Sequence, residues 1–505
     1  MSLTEPAIIG LCLLALAALS LRLSRGRTGA PDGPDGRRPH DLPTWAICLS
    51  IVATETSTLT VISVPGVAYG GGLVFVGLGL GYVAGRIVVA WLLLPLYARD
   101  GFSSAYQYLG ERFGRGMQRL ASAVFLGTRL LAEGVRLFAS TLPICALLAA
   151  AHLPAGPLPV LVGLTALTAA YTAAGGLRAV VWSDSIQFGL YTLGAILCVG
   201  LLWPYADRAT LGAAWHAGRL AVFHGDGAIL TSPYAPATAL VGGAILSMAS
   251  HGADQLMVQR VLAARSLRAA RIAMVGSAVV VTGLFALLSA VGVLLWIRNG
   301  GASPAALGLR SPDALFPAFI ARDLPSSLSA VLIAGIISAT MGSLSSALNA
   351  MTGSTLADLL PPAAWRGRIG AVTLSRGITV LWAVLLIGAA SCFSNTGRSA
   401  VVFGLSIAGY SYGALLGAFL FGLLVPGARQ RDAVPAFVGT LAVMAVLILF
   451  VHPGGRDIAF PWLVPIGVAA TFAIGLPCRL RPGPAFRDAA ARPTLDPTEM
   501  EHETR

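Results

Sequence analysis

Between two apolar segments, each long enough to cross a membrane, the chain carries YTAAGGLRAVVWSDSIQ, residues Tyr171 to Gln187, with a Gly-Gly, an Arg, an Asp and a Gln. A soluble core has little use for that arrangement. An unpaired carboxylate this near a bilayer is costly, so Asp184 is expected either to handle an ion or a proton or to form a salt bridge with nearby Arg178. Both roles fit the spacing.

Composition agrees with a bilayer as solvent. Hydrophobic residues make up 56% of the chain and charged residues 11%, which describes a polytopic all-α membrane protein. Hydropathy predicts a lead helix near Pro6 to Leu21 and core segments from Pro43 to Val425, followed by two more helices between Ala433 and Pro477. That makes about thirteen spans of roughly 20 residues. The formal charge of +12 comes from arginine, because the sequence contains no lysine. With the N-terminus outside and the C-terminus cytoplasmic, the arginines gather in the inner loops, as the positive-inside rule requires. They form no aromatic-interleaved stripe, which argues against nucleic-acid binding. The six cysteines form no Cys-x-x-Cys pair, so neither zinc nor a disulfide framework is expected.

The expected organisation is a lead helix and basic inner linker over residues 1–42, a ten-helix core over 43–425, two peripheral helices over 433–477 and a disordered inner tail over 478–505. No Ser-His-Asp set or His-Glu-x-x-His appears, which argues against an enzyme. The tail is too short for a signalling domain, which argues against a sensor.

The first core helix departs from simple hydropathy. Thr54, Glu55, Thr56, Ser57, Thr58 and Thr60 are polar, and Pro65-Gly66 is expected to interrupt the backbone ladder. A broken helix is tolerated where its freed carbonyls line an enclosed cavity and can hold a cation. In the eighth core helix, Ala339, Gly342, Ser343 and Ser346 fall at i, i+3, i+4 and i+7, giving a face of small residues and hydroxyls. Such a face suits close helix packing or the oxygen set of a hard cation. In the third core helix, Arg129, Glu133 and Arg136 share one face. Two arginines against one glutamate leave a positive charge that a carboxylate-bearing solute would balance, unless Glu55 or phospholipid satisfies it. Arg86 is a further charge with no partner visible in the sequence.

Four stretches, ATETSTLTVISVPG, YTAAGGLRAVVWSDSIQ, GADQLMVQRVLAARS and the serine-rich run ending in TLADL, resemble the sodium/solute symporters, which include sodium/glucose, sodium/proline and sodium/sialic acid cotransporters. The resemblance covers about Trp45 to Leu424. It implies an inverted repeat of five plus five helices, about 43–203 and 237–425, with the first and sixth core helices broken. It also implies sodium as coupling ion, no organic cofactor, a small-molecule substrate, and a monomer or weak oligomer in a plasma (bacterial inner) membrane. The common sodium site would use Ala53, Thr56, Ala339, Gly342 and Ser343, where Gly342 departs from the family by lacking a hydroxyl. A second sodium site would use Asp184, Ser345 and Ser346. Substrate-binding positions would be Glu55, Ser57, Thr60, Phe75, Ser247 and His251, with Arg129 or Arg136 meeting a carboxylate as in sialic acid transporters of the family. A neutral solute such as a sugar, or a non-transporting sensor on the same fold, is the alternative.

Overall fold

The computed structural model describes residues 4–25, 42–99, 102–150, 153, 155–224, 229–309, 311–360, 370–393 and 400–480, and no strand occurs among them. Most of the linker expected over 24–42 and the tail from Arg481 lie outside the described residues.

The chain opens with α1 (Thr4–Arg25), followed by α2 (Thr44–Glu55) and α3 (Thr58–Gly71). Next come α4 (Val74–Val88), continued by a π-turn into α5 (Leu94–Arg99), then α6 (Tyr106–Phe113), α7 (Arg115–Ala150), α8 (Pro157–Leu202) and α9 (Arg208–His216). A second π-turn leads into α10 (Gly243–Gly252), followed by α11 (Gln255–Leu262), α12 (Leu267–Arg298), α13 (Leu315–Asp323) and α14 (Ser326–Ser354). The chain ends with α15 (Ala371–Ser391), α16 (Ala400–Leu424), α17 (Gln430–Phe450) and α18 (Phe460–Leu480).

Among the described residues, 8 helices are long and apolar enough to span a membrane, or up to 9 if the bent pair α2 and α3 counts as one span. The expected thirteen spans do not map one to one onto these. The segments expected at 157–174 and 177–203 are two helices that meet within α8 at a kink at Gly176, with φ 57 and ψ −158, where the sequence places the break. A Cβ there would meet nothing within 4 Å, so the glycine serves the left-handed backbone and not a tight contact. The segment expected at 237–258 is two short helices, α10 and α11, parted at Ala253 and Asp254.

The break in the first core helix is also displaced from its expected place. Pro65 lies inside α3, and the chain bends by 66° between α2 and α3 instead, at Thr56 and Ser57. Hydroxyls are engaged on both sides of the bend: Thr54 Oγ1 donates back to Ser50 O within α2 at 2.7 Å, and Thr58 Oγ1 donates across to Ile336 O of α14 at 2.7 Å. Gly66 is needed for a close approach, since a Cβ there would stand 2.4 Å from Pro312 O.

Helix α14 is buried along most of its length and packs on α8, α7, α2 and α3. The apolar faces of α15 and α17, with Val380, Leu381, Val384, Val446 and Leu449, remain exposed. Those faces are suited to lipid, where apolar exposure carries no penalty.

Candidate ion and solute site

Contacts between α2–α3 and α14 run antiparallel. Thr54 Oγ1 and Ser346 Oγ lie 3.1 Å apart, while Thr58 reaches Thr340 and Ile336 one to three turns back along α14. The break between α2 and α3 therefore packs along the stretch of α14 that holds Ala339 and Ser343, while Gly342 turns toward α8. Ser343 donates its hydroxyl proton to Thr340 O at 3.1 Å, which leaves its lone pairs available. Thr56 Oγ1 is buried without a hydrogen-bond partner. Helix α8 contributes Gln187, whose Oε1 would stand 2.3 Å from a Cβ placed on Gly342.

Asp184 sits in the same interior, fully buried, but its ion partner is Arg260 of α11 at 3.3 Å and not Arg178. Ser50 donates to Asp184 Oδ2 at 2.6 Å, and Arg260 Nε donates to Ser50 Oγ at 2.9 Å. Arg260 also donates to Ser346, while Ser345 turns back to donate to Gly342 O at 2.9 Å. A guanidinium therefore already meets Asp184 and Ser346, two of the three groups expected to form a second sodium site. Nothing in the YTAAGGLRAVVWSDSIQ motif could have revealed it, because Arg260 lies 76 residues from Asp184.

Beside the break lies a cavity of about 110 Å³, lined by Glu55, Ser57, Thr60, Phe75, Arg129, Arg136 and His251 among others. Ser247 is not part of its lining; it is buried, with its hydroxyl 3.4 Å from Tyr82 O. Phe75 and Phe285 meet edge to face with centroids 5.4 Å apart and form an aromatic wall. Glu55 pairs with Arg86, which supplies the partner for that arginine, and Arg86 also donates to Ser277 at 2.6 Å. His251 Nε2 lies 3.7 Å from Glu55 Oε2 and has no hydrogen-bond partner.

The charge arithmetic on α7 changes once the fold is in view. Arg129 bonds Glu133 at 3.0 Å and pairs with Asp254, which stands at the break between α10 and α11. Asp254 is thus the second carboxylate that a reading of α7 alone could not supply. It also accepts from Leu256 N at 2.8 Å as the N-cap of α11, and Tyr412 donates to it at 2.6 Å. Arg136 makes a single 3.3 Å bond to Glu133, and its side chain is 20% exposed against 6% for Arg129.

The sodium:solute symporter family model matches residues 39–439. The chain belongs to the sodium:solute symporter family. It is 28% identical over 455 residues to the sodium/iodide cotransporter of Homo sapiens, covering 86% of this chain and 68% of that protein. It is 27% identical over 429 residues to the Homo sapiens sodium-coupled monocarboxylate transporter 1, covering 81% and 66%. The chain thus spans about two thirds of the length of these relatives. A solved Na+-coupled sialic acid symporter in a substrate-bound outward-open state superposes with a TM-score of 0.79 at 21% identity, covering 95% of this chain and 98% of that one. A nucleobase-cation-symport-1 family transporter superposes at 0.55 with 12% identity, covering 90% and 95%. Both structures share its fold. This member of the family is an integral membrane protein whose relatives are transporters and not enzymes.

Proposed function

We propose that the protein is a sodium-coupled symporter that imports a small monoanionic, carboxylate-bearing solute by alternating access. The observation that carries the anion is charge balance around the α2–α3 break and the cavity beside it. Around the break and the cavity, Arg86 pairs with Glu55, Arg129 with Asp254, Arg136 with Glu133 and Arg260 with Asp184, with His251 taken as neutral. Sodium alone would add an uncompensated positive charge to a poorly solvated site, which is costly. A monoanion entering beside it cancels that charge. Relatives named for iodide and for monocarboxylates, both anions, agree with this reading.

In this reading sodium is held between the α2–α3 break and α14 by oxygens of Ala53, Thr56, Ala339 and Ser343. The solute occupies the adjacent cavity, with its carboxylate toward Arg136, its apolar body against Phe75 and a hydrogen bond from His251 Nε2. Glu55, Ser57 and Thr60 line the wall nearest the ion. Arg260 supplies the cation for Asp184 and Ser346, so a single sodium moves with each solute. The two broken segments belong to five-helix repeats of opposite orientation, with the N-terminus outside, and rock about the bound ion. Coupling follows if sodium binds the solute-competent conformation more tightly than the other, because a ligand shifts an equilibrium only by its differential affinity.

Uptake into proteoliposomes tests this directly. A labelled short-chain monocarboxylate is expected to enter only with an inward sodium gradient and to carry no net current, while a neutral hexose is excluded. Ser343→Ala is expected to raise the sodium concentration for half-maximal uptake about tenfold, the loss of roughly one charge-assisted hydrogen-bond equivalent. Sodium-independent flux, or transport of the hexose alone, would rule the proposal out.

A further inference from the structure

In the π-turn that joins α4 to α5, Leu94 N–H bonds to Val89 O, five residues back. The next donor in that register would come from Pro95, which has no N–H. Ala90 O is thereby left without a backbone partner, and Arg271 of α12 supplies one: its Nε donates to Ala90 O at 2.9 Å. The same guanidinium lies over the Trp91 ring, 5.5 Å from its centroid. It is held at both points, yet among the described residues its terminal nitrogens meet no acceptor and no acid. Arg268, one turn earlier on α12, is exposed and likewise makes no hydrogen bond or ion pair among the described residues. A guanidinium fork fixed in this way suits the paired hydrogen bonds of a phosphate.

The surroundings decide which phosphate. Both arginines stand at one edge of the membrane, because the α12 span begins at Leu267 and the α4–α5 span ends at Tyr97. Trp91 is exposed there, as a tryptophan at the membrane–water interface is. From that edge an apolar furrow runs along the two packed helices. Arg268, Ile272 and Val279 fall at i, i+4 and i+11 on α12, while Leu80, Ile87 and Trp91 fall at i, i+7 and i+11 on α4, all of them exposed. A furrow of hydrocarbon capped by two positive charges fits a molecule with a phosphate at one end and acyl chains at the other. A zwitterionic headgroup would bring its own cation beside two arginines, whereas an anionic one brings none.

We propose that the α4–α12 furrow is a binding site for an anionic phospholipid, its phosphate gripped by Arg268 and Arg271 and an acyl chain lying along Ile272 and Ile87. The site is separate from the ion and solute cavity and does not depend on the transport reading.

The unfolding temperature of the purified full chain in a neutral detergent, titrated with dioleoyl phosphatidylglycerol, reads binding by mass action. The parent is expected to gain stability in a saturable way, and to gain none from dioleoyl phosphatidylcholine or from inorganic phosphate. Arg268→Gln and Arg271→Gln are each expected to raise the half-saturating lipid concentration about fivefold, the share of one basic residue at an anionic membrane surface. Arg208→Gln removes an exposed arginine at the start of α9 and should leave the titration unchanged. Arg268 has no hydrogen bond to lose among the described residues, so its variant reads the site even if Arg271→Gln fails to fold. An equal response to phosphatidylcholine, stabilisation by inorganic phosphate alone, an unchanged titration in Arg268→Gln, or the same loss in Arg208→Gln would each overturn the assignment.

Discussion

Asp184→Asn is expected to destabilise the folded protein by about 3–5 kcal/mol, because it leaves Arg260 as a buried charge without its counter-ion. Both side chains are fully buried, and the remaining partners of Arg260 are hydroxyls and the Leu256 carbonyl, which cannot cancel its charge. The measurement is thermal unfolding of the purified protein in detergent, with Asp184→Asn/Arg260→Met as the second variant. Replacing a buried ion pair by neutral groups of similar volume is often close to neutral, so the double variant should recover most of the lost stability. Non-additivity is the signature: residues in one ion-pair network couple strongly, while independent sites add. Exchanging Asp184 with Arg178 should not rescue, whereas exchanging it with Arg260 should rescue in part. A loss below about 1 kcal/mol in Asp184→Asn would mean that the pair is solvated in practice, since exposed ion pairs contribute about that much or less.

What the sequence revealed of this site, and what it concealed, follows from distance along the chain. The face of Ala339, Gly342 and Ser343 is set by helical periodicity, which is local, and α14 does pack on both halves of the broken helix, with Gly342 turned toward α8. Asp184 was conspicuous because an acid in an apolar segment is conspicuous anywhere. Its partner was not, and the nearby Arg178 drew the pairing that the fold gives to Arg260. The same blindness produced the surplus arginine on α7, which Asp254 neutralises from a break 125 residues away. Asp254 did carry a signal, an acid followed by a short helical run, which is an N-cap pattern. Gln187 carried a weaker one, at i+3 from Asp184 on the same face. The break itself was misplaced for a different reason. Proline usually ends a helix, yet here Pro65 is held within α3, while the bend falls at Thr56 and Ser57, just before Thr58 bonds across to α14.

The two arginines of α7 are expected to fail in different ways when changed to glutamine. Arg129 is the centre of a network with Asp254, Glu133 and Tyr412. Its loss leaves buried carboxylates short of positive charge, so Arg129→Gln is expected to lower stability by about 3–5 kcal/mol, whatever the solute is. Arg136 has only a 3.3 Å bond to Glu133 and keeps part of its side chain open to the cavity. Its spare donors can meet a carboxylate through paired, charge-assisted hydrogen bonds. Truncating one partner of such a buried pair typically costs about 2–5 kcal/mol of binding, so Arg136→Gln is expected to weaken solute binding by tenfold or more. The protein should still fold in this case, because Glu133 retains Arg129 at 3.0 Å. Stabilisation by ligand separates the two effects, since a bound solute raises the unfolding temperature by mass action only where the site survives. Arg136→Gln should unfold near the parent temperature but respond to a monocarboxylate only at much higher concentration, and Arg129→Gln should unfold early with or without solute. If Arg136→Gln kept full affinity for a monocarboxylate while Arg129→Gln stayed stable and lost it, the carboxylate would belong to the deeper arginine, and Asp254 would then have to release that arginine whenever the solute binds.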